Sequence, residues 1–199
     1  MSCLRLLPTC SYLLGLAVVV GCDNAPKPTE AEGKPSATAR KSVNPDDIKL
    51  QNLDYAGIEE LIASKKGKVV VVDYWSTYCA PCLKEFPNLI ALSDRVGPEQ
   101  LACISVSLDY DGYGKLEEVT PKVLKFLLAK EATIDNVLAS EESDAMFKKL
   151  DIPSIPAVFV YDRTGKLRKR YDSRSAKNDG PFSYEQVNKL VDELLAEKN

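Results

Sequence analysis

The feature that most constrains this chain runs from Val69 to Cys82. There Val69-Val70-Val71-Val72-Asp73-Tyr74-Trp75, apolar except at Asp73, gives way to Ser76-Thr77-Tyr78 and then to Cys79-Ala80-Pro81-Cys82. A β-branched run without polar alternation predicts a strand buried on both faces, and so a central parallel strand. From Cys79 to about Val96 the pattern predicts a helix, with Phe86, Leu89, Ile90 and Leu92 apolar and Pro87 placed to kink it. Two cysteines at this spacing, where a strand hands over to a helix, suit redox chemistry. The unpaired N–H groups and positive end of the helix dipole stabilise a thiolate on the first. The second sits one turn inward, close enough to close a disulfide or to resolve a mixed one.

The competing reading of a Cys-x-x-Cys pair is half of a zinc site, which needs two more soft or imidazole ligands. The chain has no His, and of its six Cys only Cys103 also falls in the part expected to fold, so no metal is expected. Cys103, alone in a predicted strand, reads as a small buried core residue rather than a third redox thiol. Asp109-Tyr110-Asp111-Gly112 lacks the remaining ligands and the closing Glu of a calcium loop, and reads as a solvated turn. No cofactor is expected beyond the redox disulfide itself.

Around this centre the patterning predicts an extended segment near Ile48, a helix over 55–65, strands over 101–108 and 134–139 (the latter weak), and a helix over 120–130 with Pro121 in its first turn. A short helix over 143–150, a strand over 157–161, turn residues 162–165, a returning strand over 166–171 and a closing helix over 184–196 complete it. Strands alternating with helices, then a late antiparallel hairpin, imply an α/β fold: a mixed sheet with helices on both faces. At 199 residues, 45% hydrophobic and 28% charged, the chain suits one core.

The N-terminus is read apart from that core. Residues 1–21 carry only Arg5 as a charge, and Leu13 to Val20 is an apolar stretch, the pattern of a signal peptide. An uncleaved membrane anchor is the alternative, but the run is shorter than the roughly 20 residues a spanning helix needs. Val19-Val20-Gly21-Cys22 resembles a bacterial lipobox, which would make Cys22 the lipidated mature N-terminus; simple cleavage is the plainer alternative. Residues 22–46, rich in Pro, Ala, Lys, Glu, Ser and Thr, are expected to be a linker, leaving 47–199 as the domain. With 26 Lys and Arg against 29 Asp and Glu, nothing points to nucleic acid.

With these residues in view, the chain resembles the thioredoxin superfamily. Within it the likeness is to the TlpA/ResA-type membrane-tethered thiol-disulfide oxidoreductases of the AhpC/TSA-Redoxin-like group. The resemblance covers roughly 48–199 and rests on the stretch from Val70 to Pro87, on Ile152-Pro153-Ser154-Ile155-Pro156-Ala157, and on the hairpin that follows. It implies a thioredoxin-like three-layer fold, Cys79 as attacking thiol, Cys82 as resolving thiol and Pro156 as the cis-proline beside the disulfide, with Pro153 the competing candidate. Ile155 would then offer its backbone to an extended substrate segment. The resemblance makes Asp73, a charge in an apolar strand, the buried acid that assists proton transfer from the resolving Cys; a salt-bridged structural Asp is the alternative. Glu85 matches an acid typical of the subgroup, its alternative being an exposed helix residue. Trp75 and Tyr78 match aromatic positions flanking the motif, where the family more often has Trp in place of Tyr78, and with Ala80 and Pro81 they would meet the substrate.

Ala-Pro between the cysteines resembles reducing members. This implies a reductant of exported protein disulfides, of the kind used in cytochrome c or metal-site maturation, recharged by a membrane electron-transfer partner. The protein would be monomeric and lipid-anchored on the outer face of a bacterial cytoplasmic membrane. An oxidase or isomerase of exported proteins is the rival enzyme, and a non-catalytic binding module the rival of another class. A peroxidase would need a threonine- and arginine-supported pocket that the sequence does not display.

Overall fold

The computed structural model describes residues 43–175 and 182–197. The expected leader, Cys22 and nearly all of the linker lie outside the described residues. Six strands, β1 (Leu50–Leu53), β2 (Val69–Trp75), β3 (Leu101–Ser107), β4 (Asp135–Ala139), β5 (Ala157–Tyr161) and β6 (Leu167–Tyr171), form one sheet in the order β1-β4-β3-β2-β5-β6. The first four are parallel to one another, whereas β5 runs antiparallel to β2, and β6 to β5. The helices are α1 (Tyr55–Ser64), α2 (Ala80–Val96), α3 (Leu116–Ala129), α4 (Ser143–Leu150) and α5 (Tyr184–Ala196).

The side-chain alternation of β2 explains why its sequence is apolar throughout. Val69, Val71 and Trp75 enter a core with Phe86 and Leu89 of α2, Val123 and Leu127 of α3, and Val187 and Val191 of α5. Val70, Val72 and Tyr74 enter a second core with Ile58 and Ile62 of α1 and Met146 and Leu150 of α4. Both faces are covered, so every position of β2 loses its water, and burying one Val or Ile contributes about 1.5–3 kcal/mol.

Two expectations need correction. The strand read as weak, β4, lies inside the sheet between β1 and β3, and four of its five residues are buried. The helix expected from residue 120 begins at Leu116, with Glu117 and Glu118 in its first turn, so Pro121 lies in its interior. The acidic first turn suits the positive end of the helix dipole, and the Thr120 hydroxyl donates to the Leu116 carbonyl at 3.0 Å. Ahead of β1, Val43 packs on the core, and Asn44 caps a 3₁₀ turn over Pro45–Asp47. None of the described helices is long and apolar enough to cross a membrane.

Candidate active site

Because β2 and β3 are parallel and β5 is antiparallel to them, the segments after β2, after β3 and before β5 meet at one end of the sheet. Register pairs Tyr74 with Ala157 and Trp75 with Ser107, which sets the Ile155-Pro156 segment and the Ser107–Asp109 segment on either side of the chain leaving β2. Ligand sites of open α/β sheets favour this carboxyl edge. The cysteine pair stands there.

Cys79 and Cys82 are joined in a disulfide with an S–S distance of 2.02 Å and a Cα–Cα distance of 5.2 Å. Cys79 is the N-cap of α2, Pro81 stands in the first turn, and the Cys82 N–H donates to Cys79 Sγ at 3.3 Å. One helix-start donor, otherwise unpaired, therefore points at the first sulfur. Cys79 is half-buried and Ala80 and Pro81 are exposed, whereas Cys82 is only 2% accessible. The first cysteine is thus the more accessible of the pair.

The loop that delivers Cys79 is anchored by Asp109, which the sequence reading had left in a solvated turn. Asp109 is buried, and its carboxylate accepts hydrogen bonds from the Thr77 N–H at 2.9 Å, the Thr77 hydroxyl and the Ser107 hydroxyl at 2.7 Å. Charge-assisted bonds of this kind contribute about 1.5–3 kcal/mol each. The Leu108 N–H donates to the Trp75 carbonyl at 2.8 Å, tying the same two segments. The available signal was weak: Ser105 and Ser107 are polar within a buried strand, and polar groups there need a partner nearby.

Asp73 lies on the same face of β2 as Val71 and Trp75, and it is 3% accessible. Its Oδ2 accepts a hydrogen bond from the Tyr184 hydroxyl of α5, and Oδ1 has no partner among the described residues. Burial pushes the Asp73 carboxyl up to about 7; the Tyr184 hydrogen bond opposes that rise and the charge of Glu85 adds to it. No described cation pairs with Asp73, so the alternative of a salt-bridged structural Asp finds no support. Glu85 is half-buried on α2, where it accepts from the Asn88 side chain at 2.9 Å. The sequence reading missed Tyr184 as a site residue, because the first residue of an amphipathic helix reads as packing alone.

The remaining expected residues divide. Trp75, expected to meet substrate, is fully buried, its ring 4.9 Å from that of Phe86 and 4.7 Å from that of Phe126. An aromatic at the end of a strand covered on both faces has no route to the surface. Tyr78 is 78% exposed, and Lys122 of α3 holds its Nζ 3.0 Å from the ring centroid. Ile155 and Pro156 are half-buried, and the peptide bond between them is cis, while the Ser154 hydroxyl bonds that of Ser173 at 3.0 Å. Cys103 is buried in β3, and burial pushes its thiol up to about 12, which suits a core residue.

Comparison with known proteins agrees with this geometry. A family model described as thioredoxin-like matches residues 67–167, from the end of α1 to the start of β6. The thiol:disulfide interchange protein HelX of Rhodobacter capsulatus is 26% identical over 132 residues, covering 66% of this chain and 64% of that protein, just under two thirds of it. The sporulation thiol-disulfide oxidoreductase A of Bacillus subtilis is 25% identical over 193 residues, covering 95% of this chain and 98% of that one. Among solved structures, a thiol-disulfide isomerase from Corynebacterium glutamicum shares the fold at a TM-score of 0.55 and 20% identity, over 68% of this chain and 86% of its own. With a reactive-type cysteine pair at the head of α2, and relatives named for that chemistry, the chain belongs to the thioredoxin-like family as a thiol-disulfide oxidoreductase.

Proposed function

We propose that the protein is an exported, lipid-anchored reductant of protein disulfides. The observation that carries the reading is the asymmetry of the Cys79–Cys82 pair, with Cys79 half-buried at the head of α2 and Cys82 2% accessible. In the reduced protein the Cys79 thiolate attacks a client disulfide, forming a mixed disulfide and expelling one client thiolate. Cys82 then attacks Cys79 Sγ, the bond to the client breaks, and the second client thiol leaves. Two electrons pass to the client, and a membrane dithiol partner restores the pair. Ile155 and Pro156, half-buried beside the chain leaving β2, with exposed Tyr78, Ala80 and Pro81, supply the surface for an extended client segment. Anchoring through Cys22, at the end of the apolar stretch Leu13 to Val20, would set this head on the outer face of a bacterial cytoplasmic membrane.

Two measurements test the reading. Insulin reduction by the full chain should be lost in Cys79→Ser; retained turnover would refute the mechanism. Equilibrium titration against thiol buffers should give a potential near or below about −250 mV, as reductants of this fold have, whereas one near about −120 mV would make the protein an oxidant of exported proteins.

A further inference from the structure

We propose that Tyr184 is a positioning residue of the redox centre, holding one oxygen of the buried Asp73 carboxylate so that the other serves as the proton acceptor for Cys82. The inference rests on the dithiol mechanism proposed above. It starts from a disparity between the two oxygens: Oδ2 accepts from the Tyr184 hydroxyl, while Oδ1, equally buried, has no partner among the described residues. A buried carboxylate oxygen without a partner is costly unless it has a task.

The surroundings identify the task. Asp73 lies on the sheet face covered by α2, in the core that holds Cys82, Trp75, Phe86 and Tyr184. Glu85, three residues beyond Cys82, is close enough for its charge to act on Asp73, which sets Asp73 beneath the first turns of α2. The titratable groups acting on Asp73 are Glu85 from α2, Cys103 from β3 and Tyr184 from α5, with Cys82 of α2 in the same core. Cys103 keeps its proton through the neutral range, and the Tyr184 phenol, raised well above its ordinary value, stays a donor throughout. Asp73 is then the group here that changes charge near neutrality, and Tyr184 is fixed as the donor that favours its charged form.

With Cys79 in a mixed disulfide, the Cys82 thiol gives its proton to Asp73 Oδ1, directly or through one water. The Cys82 sulfur bonds to Cys79 Sγ, and the Cys79–client S–S bond breaks. The client sulfur leaves as a thiolate carrying the electron pair of that bond, and the proton on Asp73 returns to solvent. Tyr184 keeps its proton throughout and acts only through Asp73.

The test follows the resolving step in the reduced full chain mixed with dithiobis-nitrobenzoate. The second, reagent-independent phase of thionitrobenzoate release is read against pH. Wild type should show an acid limb near pH 7, where Asp73 titrates. Tyr184→Phe should move that limb up by about one pH unit, because the lost hydrogen bond stabilised the carboxylate. Asp73→Asn should abolish the limb, and adding Tyr184→Phe to it should change nothing further. A limb unmoved in Tyr184→Phe, retained in Asp73→Asn, or shifted by Tyr184→Phe without Asp73 overturns the proposal. If Tyr184→Phe does not fold, the hydroxyl proton of Tyr184 in the unmutated protein decides. It should shift in NMR spectra as Asp73 titrates, and a resonance indifferent to that titration sinks the idea. Continued exchange in Cys79→Ser would instead overturn the dithiol reading itself, so the two failures are separable.

Discussion

Asp73 occupies a position where the rest of β2 would place a valine, and the folded protein bears a cost for it that varies with pH. Its carboxyl is raised to about 7 when folded, against an ordinary value of 3.8 when unfolded. Between those values the folded state holds a proton that the unfolded state has released, so the contribution of Asp73 to stability is greatest below about pH 4, falls as pH rises and levels off above about pH 7. The span corresponds to a loss on the order of 4 kcal/mol. Urea unfolding of the disulfide form of Asp73→Asn should lack this decline and gain on wild type from pH 4 to pH 8; a parallel decline in both proteins would remove Asp73 as its source. Asp73 was legible in the sequence because a lone charge in an apolar run stands out. Asp109 was not, since an Asp beside Tyr-Asp-Gly reads as a turn, and its partners are Thr77, distant in sequence, and Ser107. Asp109→Ala should strand three buried or half-buried donors and lower stability by about 2 kcal/mol or more, read from the urea midpoint. An unchanged midpoint would mean the loop holds itself.

At the level of elements, periodicity located the chain's helices and strands well, and went astray where local chemistry pointed two ways. Pro121 reads as a helix start because proline suits the first turn, yet Leu116, Val119 and Val123 continue the apolar stripe across it and tertiary packing extends the helix backward. Inside α3 the proline lacks the N–H that the Glu117 carbonyl would accept one turn back. Pro121→Ala at this exposed position should therefore raise stability by about 1–2 kcal/mol, seen as a higher thermal midpoint. A lower midpoint would mean that the proline's restriction of the unfolded chain outweighs its missing hydrogen bond. β4, which the sequence shows only weakly, opens with Asp135-Asn136. In the fold Asn136 is satisfied by the Ser105 hydroxyl and by the carbonyls of Lys49, Ala132 and Ile134, which lets a polar residue stand in an interior strand.

The molecule as a whole is held by two apolar layers, one on each face of the sheet, and not by its disulfide, which closes a ring with a sequence separation of only 3. So short a loop constrains the unfolded chain by about 2 kcal/mol at most. Reduction by excess dithiothreitol should therefore leave the far-ultraviolet dichroism intact at 25 °C, and collapse on reduction would show that the bond is structural. The order of the strands was beyond reach of the sequence: pattern distinguishes buried from half-buried strands, but not which neighbour each one takes. That order leaves β1 and β6 as the sheet's outer strands. β1 has four residues, and β6 carries Arg168, Lys169 and Arg170 in succession. Two copies meeting along β6 would set cation against cation, and β1 offers too short a rail for durable pairing. A protein with the proposed role would thus meet its clients through the tip of its sheet, while its flanks refuse the indiscriminate strand-to-strand adhesion that unfolded chains invite.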